Sequence, residues 1–131
     1  MTSYVFGKVV SMPFDSAVQR ITEELAKVGF GVLTEIDVQA TMKKKIGQEM
    51  PPYRILGACN PHFASRAIAA VPQIGALLPC NVVVRTEDGR TVIEALDPKM
   101  IAEVPGNPAL APIAEEAGQR IQAVLDALAH V

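Results

Sequence analysis

The sequence predicts an α+β domain of two layers: a mostly antiparallel five-stranded sheet with helices packed on one face. Three observations lead there. Five short runs rich in β-branched residues each fit a strand. Three longer stretches carry apolar residues at helical spacing. Two of the strands meet at a tight Glu87-Asp88-Gly89 turn, which makes a hairpin. The core order reads β-α-β-β-α-β-β-α, and strands paired with segregated helices are the mark of a two-layer α+β design. At 131 residues, with no linker or low-complexity tract, residues 1–131 form one domain.

Residues 4–11, with Val5, Val9 and Val10, are the first strand, and Met12-Pro13-Phe14 breaks it. Asp15 or Ser16 is the expected cap of the first helix, Ser16 forming a capping box with Gln19. Val18, Ile21, Leu25 and Val28 give that helix one apolar stripe, and Gly29 suits a left-handed residue just past its end. Residues 31–36 are the second strand. Asp37 caps a short helix through Lys45, with Val38, Met42 and Ile46 expected inward and Gly47 closing it.

The double proline Pro51-Pro52 then feeds an extended chain into the third strand, because a residue before proline is pushed away from helix. This strand runs over residues 53–59. Alternation places Tyr53, Ile55, Gly57 and Cys59 on one face, with Arg54, Leu56 and Ala58 on the other. Asn60 is a favoured N-cap and Pro61 a favoured first helical residue, so a helix opens there and runs to about Ala70. Residues 71–79 form an apolar loop, the kind that covers a pocket or a subunit contact. Residues 80–85 are the fourth strand, with Cys80, Val82 and Val84 on the core face, and residues 90–96 the fifth. Asp97-Pro98 opens a short helical segment. The last helix follows Asn107 and Pro112, burying Ala114, Ala117, Ile121, Val124 and Leu128. Gly118, inside it, is expected to let the helix approach the sheet closely.

The motifs Tyr53-Arg54-Ile55-Leu56-Gly57-Ala58-Cys59-Asn60-Pro61, Leu77-Leu78-Pro79-Cys80-Asn81-Val82-Val83-Val84 and Asp97-Pro98 resemble, in that order, the family called domain of unknown function 302. The likeness extends to Gly29-Phe30 and Glu35-Ile36-Asp37. It implies a small two-layer α+β bacterial or archaeal domain that forms a dimer and has no established biochemical role.

Composition narrows the function classes. Hydrophobic residues make up 50% of the chain and charged residues only 20%, a balance that favours apolar surface buried in a homodimer. The net charge of −2 gives no basic stripe for nucleic acid. Lys43-Lys44-Lys45 closes a helix, where it favours the negative dipole end, and three charges are too few for membrane-surface binding. Residues 67–84 are nearly free of polar side chains, but Pro72, Gly75 and Pro79 break any spanning helix there. The start Met1-Thr2-Ser3-Tyr4-Val5 lacks the pattern of a signal peptide, and two cysteines do not make a disulfide framework. The expected compartment is therefore the cytoplasm, with reduced thiols.

One site stands out. Cys59 ends a strand just before a helix N-terminus, where unpaired N–H groups and the helix dipole favour a thiolate, and His62 lies in the first turn. Cys59, Asn60, His62, Cys80 and Asn81 are the candidate ligand-binding residues. The plainer reading makes Cys59 a small buried hydrophobe, Asn60 only a cap and His62 an exposed polar residue. Geometry decides whether the two thiols meet: antiparallel third and fourth strands bring them to one edge of the sheet, whereas parallel strands set them at opposite ends. No metal ligand set is assigned, since His62 and His130 lie far apart and no Cys-x-x-Cys occurs. No catalytic residue and no cofactor is assigned either. Glu23, Glu24, Glu115 and Glu116 are expected on outer helix faces. The leading expectation is a non-catalytic homodimeric ligand-binding or sensing module that holds a small apolar or anionic ligand, with a sulfur species or a metal among the candidates. The alternatives are a thiol enzyme with Cys59 as nucleophile, or a purely structural or interaction domain.

Overall fold

The computed structural model describes residues 4–128. Met1, Thr2, Ser3 and His130 lie outside the described residues, and so do the expectations attached to them. The strands are β1 (Val5–Val10), β2 (Gly31–Asp37), β3 (Tyr53–Cys59), β4 (Cys80–Glu87) and β5 (Arg90–Leu96). The helices are α1 (Phe14–Lys27), α2 (Val38–Ile46), α3 (Pro61–Ala70), α4 (Lys99–Glu103) and α5 (Ala111–Ala127). The five strands form one sheet in the order β1-β5-β4-β3-β2, and every neighbouring pair is antiparallel. This is the two-layer α+β fold that the sequence predicts.

Strand alternation divides the two faces. Leu56, Ala58, Cys80, Val82, Val84, Ile93 and Ala95 are buried beneath the helices. There they meet Ala17, Val18, Ile21 and Leu25 of α1 and Ile113, Ala117, Ile121 and Val124 of α5 in one core. Each fully buried large aliphatic side chain contributes about 1.5–3 kcal/mol relative to exposure, so this layer carries the fold. Among the described residues, no helix covers the opposite face to a comparable degree. It carries Val9, 52% exposed, and Ile36, 48% exposed, with the pairs Val9–Val92 and Ile36–Ile55 aligned across neighbouring strands. Arg85 and Glu94 also sit on this face, joined by an ion pair of 2.7 Å.

The β4–β5 hairpin closes through Asp88 and Gly89, both at positive φ, 51° and 76°. Such a two-residue turn matches the twist of the strands it joins. The stretch at residues 67–84 resolves into the end of α3, a 3-10 helix over Pro72–Leu77, a cis Leu78–Pro79 bond and β4. Among the described residues, no helix is long and apolar enough to cross a membrane.

Several local expectations need correction. The α1 N-cap is Pro13 rather than Asp15 or Ser16, with no side-chain cap. Proline already fixes the extended entry, and Ala17 N–H donates to the Pro13 carbonyl at 2.9 Å. Helix α2 buries no residue, and Ile46 is 66% exposed. Val38 and Met42 are half-buried and the helix packs on β3, so the inward expectation fails at Ile46. Glu24 is not on an outer face: it is buried between Arg20 at 3.1 Å and Lys27 at 2.7 Å. Glu116 is half-buried between Arg66 and Arg120. A Cβ on Gly118 would meet nothing within 4 Å, so close approach to the sheet is not its reason.

Candidate functional site

The site is built where β3 ends and α3 begins. Asn60 has the extended backbone of an N-cap, φ −103° and ψ 113°. Its Oδ1 accepts from the N–H groups of His62 at 3.0 Å and Phe63 at 3.1 Å. Two of the donors that a helix N-terminus normally leaves open are thus already satisfied by the chain's own side chain. Pro61 removes a third at the first helical position.

The cap also explains a glycine. Gly29 follows α1 with φ 87°, and a Cβ there would lie 2.9 Å from Asn60 Nδ2. Only glycine lets the end of α1 and the start of α3 sit this close. Arg120, from α5, closes the same corner. Its guanidinium donates to the Val28 carbonyl at 3.1 Å and lies 4.9 Å above the Phe63 ring. Phe63 also meets Phe30 with ring centroids 6.0 Å apart at 50°, a tilted aromatic contact.

Behind this junction lies a cavity of about 30 Å³. Its wall comes from Ala58 and Cys59 of β3, Phe63, Ala64 and Ala67 of α3, Leu78 and Pro79 ahead of β4, Cys80 at its start, Ile101 of α4, and Ile113, Ala114 and Ala117 of α5. Phe30 and Asn60 complete it. Five alanines on three elements leave the space that larger side chains would fill. A cavity needs about 10–15 Å³ to hold one water-sized body, so this one takes about two. Apart from Asn60 and the two cysteines, its wall is apolar.

Antiparallel pairing of β3 and β4 brings both thiols to one end of the sheet. Cys80 lies opposite Ala58, and cross-strand partners share a face, so its thiol enters the helix layer. By pleat alternation Cys59 belongs to the other face, at the last residue of β3, where it is half-buried. Both cysteines are free thiols. Burial pushes the Cys80 thiol up to about 11, with a smaller contribution from Cys59 nearby. Cys80 therefore sits in the cavity wall as a neutral S–H at ordinary pH.

Of the five sequence candidates, Cys59, Asn60 and Cys80 line the cavity, and His62 and Asn81 do not. His62 is exposed on the outer side of α3, and no hydrogen bond joins its ring to Cys59 among the described residues. Asn81 is exposed on the open face, paired with Gly57. Among the described residues no group of three or more His, Cys, Asp or Glu side chains could hold a metal ion. The lining residues that the candidates left out include Phe30, Phe63, Ile101, Ile113 and the alanines Ala64, Ala67, Ala114 and Ala117. The available signal was the small-residue pair at i, i+3 on each of two helices.

These features define a compact α+β domain with an antiparallel sheet and a small, mainly apolar cavity at a capped strand-to-helix junction. The chain belongs to the family described as "Domain of unknown function DUF302", whose family model matches residues 6–128. It is similar to the crystal structure of an uncharacterized conserved protein DUF302 from Bacillus stearothermophilus. The two are 33% identical, the match covers 97% of this chain and 99% of that chain, and the TM-score is 0.90. No curated protein matches this sequence.

Proposed function

We propose that the protein is a non-catalytic, homodimeric ligand-binding or sensing module of the cytoplasm, and that its site is the cavity bounded by Cys59, Asn60, Phe63 and Cys80. The ligand is small, uncharged and apolar. The observation that carries this reading is the cavity wall itself. Asn60 Oδ1 occupies two N–H groups of the α3 N-terminus, which leaves an anion little to bind. Cys80 is held protonated, which disfavours a metal or an attacking thiolate. The remaining wall is hydrocarbon and aromatic. His62 and Asn81 belong to the surface around the site rather than to its interior.

Support for the dimer comes from the open face of the sheet. Val9 and Ile36 are large apolar side chains left half-exposed there. Val9 on β1 and Ile36 on β2 lie at opposite edges of the sheet, so two copies related by a two-fold axis would bury both by stacking the whole open face, sheet against sheet.

Native mass spectrometry on protein purified without chelators tests both parts. The expected result is a two-chain mass, each chain retaining at most a small neutral molecule. A monomer at micromolar concentration, or a tightly retained metal ion, contradicts the reading. Ile36→Lys on the open face is expected to yield monomer while leaving the fold intact.

A further inference from the structure

A second apolar recess adjoins the first. It is a surface groove of about 210 Å³ lined by Tyr4, Leu77, Leu96, Met100, Ile101 and Val104. Ile101 lines both the groove and the inner cavity. Leu77 lines the groove and its neighbour Leu78 the cavity. Ile101 is the side chain that the two spaces share. Tyr4 and Val104, at the outer rim, are exposed although large and apolar, 63% and 60%. Among the described residues, no charged side chain lines either space.

We propose that groove and cavity are the two halves of one binding site, and that the ligand is an uncharged linear molecule with a hydrocarbon chain. This rests on the ligand-binding reading above and adds the shape and class of the ligand. The inner cavity has room for about two water-sized bodies, so only the end of a chain, one or two carbons, fits there. The rest of the chain lies along Leu77, Met100 and Leu96 in the groove. A bulky or branched ligand fails at Ile101. A charged head would have to remain at the rim, since nothing inside would repay its lost hydration.

The shared side chain has a physical reason to yield. Ile101 sits in α4, a helix of only five residues. A helix this short has little internal stability of its own and is held by packing on α5. A chain end that replaces the Ile101 side chain against Ala114 and Ala117 exchanges one hydrocarbon contact for another.

The test uses two probes on the full chain, followed through methyl signals in nuclear magnetic resonance. Xenon is small enough for the inner cavity alone, and 1-octanol needs both halves. The expected result is one 1-octanol per chain, shifting Met100 and Leu77 outside and Ala67 and Ala117 inside together. Ile101→Phe enlarges the side chain that the two spaces share and is expected to weaken 1-octanol by about tenfold. Ile101→Val, a milder change, removes one methylene and is expected to tighten 1-octanol by about threefold. If Ile101→Phe does not fold, the Ile101→Val result decides, and unchanged or weaker binding there overturns the inference. Shifts from 1-octanol confined to Met100 and Leu77, with xenon still inside, overturn this inference alone. Neither probe reaching Ala67 and Ala117 overturns the ligand-binding reading as well.

Discussion

Cys80 lies directly opposite Ala58 across the antiparallel β3–β4 ladder, one residue from the end of β3. That register turns the Cys80 thiol beneath the helices while Cys59, the next residue along, belongs to the other face. Both residues line the cavity, Cys80 buried at the start of β4 and Cys59 half-buried at the end of β3. A slip of β4 by one residue would turn Cys80 onto the same face as Cys59.

The first prediction concerns that thiol. Burial raises Cys80 from 9.0 to about 11, so folding holds its proton more tightly than the unfolded chain does. The stabilising contribution is full below pH 9 and is lost as pH rises through 11. A rise of this size corresponds to roughly 3 kcal/mol. Urea unfolding at the two ends of this range should show a steeper alkaline loss for the native chain than for Cys80→Ala. Ultraviolet thiolate absorbance in a Cys59→Ala background should titrate near the upper value.

Glu24 predicts the opposite pH dependence. The Lys27 hydrogen bond is the main cause holding its carboxyl below the usual range, with Arg20 adding to it and burial opposing both. A depressed carboxylate contributes stability above its unfolded pKa and loses it as pH falls through the folded one. Acid unfolding of Glu24→Gln should accordingly be less steep than that of the native chain between pH 5 and 3, roughly the carboxylate range. Equal slopes would show that the two ion pairs have no influence on acid stability.

The cap at the site is expected to be worth measuring by substitution. Asn60→Ala leaves the N–H groups of His62 and Phe63 without their partner and should cost about 1–2 kcal/mol, read by chemical denaturation. Asn60→Asp keeps the acceptor and should cost less. Gly29→Ala meets both an unfavourable φ and the Asn60 amide, so its cost should shrink when combined with Asn60→Ala.

Gly57 predicts a steric coupling on the open face. A Cβ there would overlap Thr34 Oγ1 and come within 2.8 Å of Pro79 Cγ. Gly57→Ala should therefore destabilise by about 1–3 kcal/mol. Because Thr34 is its cross-strand partner, Thr34→Ala should relieve part of that loss in the double variant. Strictly additive losses would show that Pro79 alone sets the limit.

Much of this arrangement was legible because it is local. The Asn60-Pro61 cap, the Asp88-Gly89 turn and the Cys80-Val82-Val84 core face each follow from neighbours in sequence. The antiparallel strands that bring Cys59 and Cys80 to one end were one of two stated outcomes. The cavity was not legible, because Ala64 and Ala67 meet Ala114 and Ala117 only after α5 packs beside α3. A small residue reads the same in sequence whether it borders a void or a tight contact. Gly118 failed for that reason, and Ile46 failed because a helical stripe does not show whether a layer exists to receive it. Phe14 and Arg54 give the same lesson for a long-range contact, the guanidinium lying 5.4 Å above the ring from another element.

The central claim is that the space beside Cys80 is a dry, apolar binding site. Xenon-pressurised crystals test it most directly, since an apolar cavity admits xenon and a polar one holds ordered water. The account predicts a xenon atom in contact with Phe63, Ala117 and the Cys80 sulfur. Hydrogen-bonded water or an ion at that position, with no xenon under pressure, would contradict it.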